Sequence, residues 1–524
     1  MKEIKTCTYT ALTLGPIYKT LKNARKTREL WGGSYLFSYL MKNIIKEIKR
    51  QDNDLEVLIP FFDDEFINQK HEAGLFPDRF IFRSASLNFE EINETIKGAV
   101  KELANKMTNH LRLHFSAADT EKARVYFENY FQAYSLERDF EEEIPKQEIA
   151  RIMMEYLDGL ELQQKFIDVE EDNYIRMFLT TSSFKAKEHS FLIKDSKGLE
   201  PNQKVRFQSI IEISAIELIK GLTGDLKKEF DEKFGLDSKT SDDEIITVLK
   251  KVENFRTHHK YIAIVQIDGD NFGKINKLLK DDDFEVFSRS LVNYSIEIQK
   301  IISDYGGLPV YSGGDDVLCF VPVRNGDQNI FTLIKDIDNV FESHFKSFIN
   351  REDLKDENGK IINPSLSVGV SITYYKFPLA EALDVSNSML NEVAKKNTKN
   401  TLAFKVIKHS GQHFEASFLK DSKEYCKFKD LILLNIDDSN FISSVIQTFF
   451  HNFEILELVG NDPDRIHHFR ENFYNEKVHD KKEKFFVELE KYIHLLYVGN
   501  KKDMKNKLYG SLRMVKFLNR DDNE

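Results

Sequence analysis

The sequence predicts an α+β protein with two ferredoxin-like sheets in one chain, a helical insertion between them and a C-terminal helical bundle. Three observations predict it. Strand and helix patterns follow a βαββαβ-like order twice, over residues 1–135 and 256–410. Residues 136–255 look mostly helical and charged, and residues 411–524 return to helical periodicity. The length of 524 residues suits about three or four domains.

The elements follow in chain order. IKTCTYTALTL (4–14) reads as a strand that Gly15-Pro16 breaks, and residues 17–29 and 31–50 read as helices. LEVLIP (55–60) and RFIFRSA (79–85) are strand-like. Asn88 with Glu91 three residues on forms a capping box for a long helix. In the insertion, residues 183–206 are loop-rich and DSKTSDDE (237–244) opens a short helix. KYIAIVQID (260–268) is an apolar strand, followed by a helix that Gly306-Gly307 stops. LPVYS (308–312) and VLCFVPV (317–323) flank a Gly-Gly-Asp-Asp turn as a hairpin. A helix over 328–349, a strand over 365–373, an amphipathic segment from Phe377 and a strand over 402–407 complete the second unit. Helical spans are expected at 427–434, 439–458, 464–475 and 481–497.

Composition excludes several classes. Lys plus Arg is 75 against 86 Asp plus Glu, a net charge of −11, which excludes a globally basic nucleic-acid binder. Local basicity survives: residues 1–50 hold 11 Lys/Arg against 3 Asp/Glu, and residues 477–520 hold 12 against 5. Cys7, Cys319 and Cys426 lie too far apart for a disulfide framework or a four-cysteine zinc site, so no zinc is expected. No signal peptide or membrane-length apolar run is visible, which points to a cytoplasmic protein with no membrane partner.

The chemistry is concentrated in IDGDNFG (267–273) and YSGGDDVLCF (311–320). Asp268 ends an apolar strand, and Asp315 and Asp316 sit at a hairpin tip 47 positions later with a helix between. Adjacent strand ends bring such carboxylates together, and crowded carboxylates repel unless cations separate them. Mg²⁺ takes one or two carboxylates plus phosphate oxygens. Two such ions about 4 Å apart can activate a hydroxyl and stabilise a leaving pyrophosphate. Gly313 and Gly314 allow close backbone approach of a nucleotide. Gly269, Asp270, Asn271, Phe272 and Gly273 lead into a helix whose N–H groups suit a triphosphate. Asp270 is either a third ligand or, preferably, a helix cap or part of the phosphate loop.

IDGDNFGK and SGGDD, with SVGVSI (367–372) and AKKNTKN (394–400), resemble the GGDEF-like nucleotidyl cyclase palm. The GGDD form resembles the large subunit of type III CRISPR effector complexes. LGPIYKTLKNARKTRELWGGSYLFSYL (14–40) and FPDRF (76–80) resemble its type III-B (Cmr) branch. The resemblance implies a first palm domain without GGDD (1–135), a connector (136–255), a second palm with GGDD (256–410) and a helical end (411–524). It implies Asp268, Asp315 and Asp316 as catalytic ligands of Mg²⁺ or Mn²⁺, and ATP as substrate. Ser312, Gly313 and Gly314 would line base and ribose. The backbone of Gly269 to Gly273 would hold phosphates, and Lys395 and Lys399 would meet the triphosphate. The partners implied are guide RNA, target RNA and the backbone, small and cap subunits of a ribonucleoprotein.

The implied activity is RNA-activated synthesis of a cyclic oligoadenylate second messenger in antiviral defence. Two alternatives stand beside it: joining AMP to S-adenosylmethionine, and a catalytically silent scaffold. The expected departures from the family are the lack of an HD nuclease domain ahead of the first palm and of a four-cysteine zinc site. Among remaining candidates, His110/His114 lack the Glu of a zincin helix, and His258-His259, His467-His468 and His479-Asp480 read as surface. Trp31 reads as a core or subunit anchor. Arg25, Lys26 and Arg28 suit either RNA phosphate or a solvated helix face.

Overall fold

A computed structural model describes residues 5–519 apart from 63, 69–72, 112–115, 164–172, 181–183, 186–203, 206, 235–240, 435, 437 and 472–481. His114 and His479-Asp480 lie outside the described residues.

The first sheet contains β1 (Thr6–Gly15), β2 (Glu56–Ile59), β3 (Arg79–Arg83) and β4 (Gln132–Glu141), in the antiparallel order β2-β3-β1-β4. With α1 (Thr27–Gln51) between β1 and β2 and α2 (Phe89–Leu111) after β3, this is the expected ferredoxin-like arrangement. The helices exist because their apolar residues recur on one face. Leu36, Leu40, Ile44 and Ile48 of α1 are all buried. Asn88 Oδ1 accepts from the Glu91 N–H at 3.0 Å, and Glu91 Oε2 accepts from the Asn88 N–H at 2.9 Å, so the capping box forms.

β4 overturns the helical reading of the residues just after 135. SLERDFE is rich in helix formers, but ten consecutive pairs tie β4 to β1. Its charged side chains suit an edge strand facing water, and pairing overrides propensity. Helix α3 (Lys146–Glu161) then packs back against β1 and β4. The described part of the connector is mostly helical (Tyr174–Thr180, Ile210–Ser214, Ile216–Lys220, Gly224–Phe234 and Asp242–Leu249, the last opened by a Ser241/Glu244 capping box), with one short antiparallel pair, Phe184–Lys185 and Lys204–Val205.

The second sheet has six strands: β5 (Tyr261–Asp270), β6 (Leu308–Gly313), β7 (Asp316–Pro322), β8 (Ser365–Tyr374), β9 (Thr401–Ile407) and β10 (His413–Leu419). Their order is β10-β9-β8-β5-β7-β6, with β8 and β9 parallel and the other pairs antiparallel. The inner quartet β8-β5-β7-β6 repeats the first sheet's topology. Helices α4 (Asp281–Asp304) and α5 (Ile330–Phe345) cover one face, and α6 (Leu379–Ser388) with a π-helical turn at Met389–Ala394 covers the other. β5 is therefore buried on both faces, which is why it reads as an unbroken apolar run. Ala263, Val265 and Ile267 enter the main core, while Ile262 and Ile264 pack with Ala382 and Leu383.

β10 overturns the helical reading from 411. Phe414, Ala416 and Phe418 alternate inward, a period of two that belongs to a strand. The final helix, Met504–Asn519, beds on β10, where Gly510 is needed because a Cβ would strike the Glu415 backbone. The other C-terminal helices are Lys423–Leu433, Ser439–His451, Phe453–Val459, Pro463–Glu471 and Glu483–Asn500. Among the described residues no helix is long and apolar enough to cross a membrane.

The two sheets interlock. The Ser312 N–H on outer strand β6 donates to the Gly74 carbonyl of the first unit at 2.9 Å. A Cβ on Gly74 would lie 2.9 Å from Ser34 Oγ and 3.3 Å from the Tyr311 ring, so only glycine allows that approach.

Candidate active site

β5 ends at the top of the sheet, where Ile267 pairs with Val317. Asp268 is the next residue out and lies beside the β6–β7 turn. That turn closes with Gly313 opposite Asp316, and Gly314 takes φ +69°, the left-handed region that glycine tolerates. Gly269 packs directly against the turn. A Cβ there would fall 2.7 Å from Asp315 Cβ and 2.8 Å from the Phe272 ring, so its hydrogen lets Asp315 lie against β5.

Desolvation in the cleft, then the neighbouring Asp268, holds the Asp315 carboxyl above the ordinary carboxylate range. Desolvation, then Asp315 and Asp268, does the same to Asp316, against the pull of Lys395. The Lys395 ammonium forms an ion pair with Asp268. Gly369 makes this placement possible. A Cβ on Gly369 would collide with the backbone of Leu390 and Ser386, so its absence lets the π-helical turn sit directly on β8 and carry Lys395 over Asp268. The three carboxylates do not all come within 4.8 Å of one another. Three carboxylates gathered at one end of the sheet are nonetheless a donor set that suits Mg²⁺ or Mn²⁺.

Side chains of several expected nucleotide contacts are engaged within the protein. Asp270 is 1% exposed, and its carboxylate accepts from Ser365 and Ser367 hydroxyls at 2.9 Å and from the Asn400 N–H at 2.8 Å. It pins the loop after Lys395 and does not cap the helix Phe272–Leu278, whose N-cap position is Asn271 at φ +69°. Phe272 is a core residue, 5.1 Å edge-on to Phe287 and stacked at 6.1 Å on Phe341. Ser312 is fully buried and its hydroxyl donates to the Ser295 carbonyl at 3.0 Å, while Ser295 donates to Gly314 O at 3.0 Å. These side chains build the turn from behind. Lys399, at φ +58°, donates to Asn271 Oδ1 at 2.9 Å and so ties the segment after Lys395 to the loop that follows Asp268. Gly273 is exposed with open space where a Cβ would stand.

A cleft of about 480 Å³ opens between the two sheets. Asp268 and Asp316 line it from the second unit, and Leu14, Phe37, Phe76, Asp78 and Glu161 from the first. Sequence reasoning missed Asp78, although it lies within the FPDRF segment. Desolvation holds its carboxyl above the ordinary range, against Arg79. Glu161 accepts from Arg79 and from Thr13 at 2.8 Å each.

The surface reading of His258-His259 is also corrected: they are 2% and 1% exposed. They meet Glu217, with His259 Nε2 2.6 Å from Glu217 Oε1. The Arg256 N–H donates to His259 Nδ1 at 2.8 Å, which puts the ring proton on Nε2, facing Glu217. That nitrogen has no lone pair for a metal, so the trio is a hydrogen-bonded clasp between connector and β5. Trp31 is a core anchor, stacked at 4.7 Å on Tyr35 and 5.0 Å from Phe207.

Residues 9–109 match the family model of the CRISPR-associated protein Cmr2 N-terminal domain, and residues 261–403 match the Cas10/Cmr2 second palm domain. Both segments thus match domain models of the Cas10/Cmr2 family. Over 184 residues it is 32% identical to the CRISPR system Cmr subunit Cmr2 of Pyrococcus furiosus, a stretch that spans 30% of this chain and 19% of that protein's length. The fold is shared with a type III-B Cmr-beta complex bound to cognate target RNA (TM-score 0.56, 11% identity, 93% of this chain and 79% of that one). It is also shared with a Csm1–Csm4 cassette in complex with cA4 (TM-score 0.52, 13% identity, 99% and 70%). The GGDD turn lies inside the segment that matches the second palm domain.

Proposed function

We propose that this chain is the RNA-activated nucleotidyltransferase subunit of a type III-B CRISPR effector complex, making cyclic oligoadenylate from ATP as an antiviral second messenger. The observation that carries the reading is the gathering of Asp268, Asp315 and Asp316 around the end of β5 and the β6–β7 turn, with both turn carboxyls raised by desolvation first and by neighbouring carboxylates second. Asp268, Asp315 and Asp316 would hold Mg²⁺ or Mn²⁺, which supplies Lewis-acid activation of the attacking hydroxyl and charge neutralisation at the pyrophosphate. The chain's own residues do the rest. The Gly313-Gly314 backbone leaves room for base and ribose, and Gly269 keeps Asp315 close to β5. Lys395, on leaving Asp268, and Lys399 are in reach of a triphosphate. The first palm closes the far wall and excludes water from the second substrate. An in-line attack on the α-phosphate then forms the new phosphodiester and releases pyrophosphate. The relative with cA4 bound supports this reading.

One observation favours a second acceptor. Asp78 and Glu161 line the first-palm wall, and because Arg79 pairs with Glu161, Asp78 is the acid left facing the cleft. A triphosphate is repelled there, whereas the sulfonium and ammonium of S-adenosylmethionine are attracted. The test is to incubate the assembled complex with ATP, Mg²⁺ or Mn²⁺ and cognate target RNA, with and without S-adenosylmethionine, and identify products by mass spectrometry. RNA-dependent cyclic oligoadenylate supports the first reading. An AMP–S-adenosylmethionine conjugate that Asp78→Asn reduces supports the second. No product at all leaves only the silent scaffold.

A further inference from the structure

We infer that the side chains of Asn387 and Asn391 read the amino-bearing edge of an adenine base in the cleft and so set its base specificity. The inference rests on the reading that this cleft takes an adenine nucleotide. ATP and S-adenosylmethionine both carry that base, so the choice of acceptor does not enter.

Both residues line the cleft together with Asp268 and Asp316. Asn387 is half-buried and Asn391 is exposed. Asn391 Nδ2 donates to Asn387 Oδ1 at 2.7 Å, and neither side chain has another hydrogen-bond partner among the described residues. That bond engages the carbonyl of one amide and the NH₂ of the other. Whichever way the two amides turn, the pair therefore keeps one unused carbonyl oxygen and one unused NH₂ group. Adenine presents the complement, a 6-amino donor beside a ring-nitrogen acceptor, and carboxamides pair with both. Asp384, three residues before Asn387 and lining the same cleft, adds a further acceptor for the amino group.

The backbone sets the pair at a useful place. Lys395, four residues beyond Asn391, pairs with Asp268 at the carboxylate end of the cleft. Residues four apart on an α-helix drift by about 40° around its axis. The π-helical turn Met389–Ala394, with its wider i to i+5 bonding, offsets that drift. Asn387, Asn391 and Lys395 therefore form one row, with steps of about 6 Å along the axis. From Lys395 to Asn387 the row follows a nucleotide from its phosphates to its base. The row is also preset. Gly369 seats the backbone of Ser386 and Leu390 on β8, and these positions flank Asn387 and Asn391. Apolar walls complete the slot: Leu383 and Leu390 from the second palm, and Ile17, Tyr18 and Leu21 from the first. Tyr18 is 63% exposed, an aromatic face open to a flat ring. Apolar walls with a few placed polar groups are the pattern of a specific small-molecule slot. A carboxamide pair on a plain surface helix has neither the facing wall nor the neighbouring carboxylates.

The test measures binding to the purified full-length chain by titration calorimetry, with Mg²⁺ and without RNA. The probes are ATP and purine riboside triphosphate, which lacks only the 6-amino group. The parent is expected to bind ATP tighter by about 5- to 150-fold, the worth of one good carboxamide–base pairing. Asn387→Leu/Asn391→Leu keeps side-chain size and favours the helix. It is expected to bring the ratio down to about 1, with purine riboside triphosphate held within about threefold of its parent affinity. Thermal melting checks that the variant is folded. The inference is overturned if the parent binds both probes alike, or if the variant keeps the parent's ratio. It is equally overturned if the variant loses both probes by the same factor, as a structural or phosphate-contacting role would dictate. A parent that binds neither probe undoes the proposed function as well. A parent that prefers ATP, with a variant that prefers it as much, undoes this inference alone.

Discussion

The two palms share one topology and handle carboxylates in opposite ways. In the first palm, Asp52 follows α1 and its carboxylate accepts from the Ser84 hydroxyl and from the Asp54 and Ala85 N–H groups at 3.1 Å each. Burial pushes its carboxyl up, but these donors win and hold it below the ordinary range. In the second palm, desolvation and then neighbouring carboxylates hold Asp315 and Asp316 above it. One palm satisfies its acid as a structural clasp. The other pairs Asp268 with Lys395 and leaves Asp315 and Asp316 with raised carboxyls, which is the mark of a working site. Asp270 shows that the distinction follows environment: it sits in the second palm, two residues from Asp268, yet is as fully satisfied as Asp52.

The comparison can be broken most sharply at the turn. Asp315→Asn/Asp316→Asn is expected to reduce nucleotidyl transfer at least about 100-fold, since loss even of supporting groups at a metal site costs 10–100-fold. The metal-free melting temperature should stay level or rise, because the repulsion is gone. A large fall in melting temperature would mean that the acids are structural after all. Next in size is Gly269→Ala. Its Cβ meets Asp315 and Phe272, so Asp315 must shift, and a misplacement of about 1 Å can cost ~100-fold. Overpacking adds an expected stability loss of about 1–3 kcal/mol by denaturant titration. The smallest effect belongs to the first palm. Asp52→Ala is expected to cost about 1–3 kcal/mol with turnover per folded molecule unchanged. Asp52 has a depressed carboxyl, so its contribution is present above the ordinary carboxylate range and is lost as pH falls through the folded value. The parent's melting temperature should therefore drop toward the variant's in acid.

Much of this was legible from residues. The apolar run of β5 with Asp268 at its end, the hairpin around the glycines and the Asn88/Glu91 box announce themselves because local pattern and tertiary role agree. β4 was not legible, since its Glu-rich edge carries helix propensity and only pairing with β1 decides it. β10 carried its signal in the alternation of Phe414, Ala416 and Phe418, which the helical character of the C-terminal region masked. Ser312 and Phe272 lie inside the motifs but point into the protein, and motif spacing carries no information on which way a side chain turns. Asp78 and Glu161 reach the cleft from the other palm, a juxtaposition that only the fold creates. His258 and His259 look like surface residues until Glu217, supplied by the connector, closes over them.

The bond between Ser312 and Gly74 bears on self-association. β6 is the outermost strand of a six-stranded sheet, and unprotected outer strands invite pairing with another molecule. Here Pro309 offers no N–H, the register slips between Pro309 and Tyr311, and Gly74 takes the Ser312 donor. A second chain finds no continuous row of donors to extend. Neighbouring proteins must therefore meet this flank through side-chain surfaces, and crowding in the cell does not turn it into a seed for fibrous aggregation.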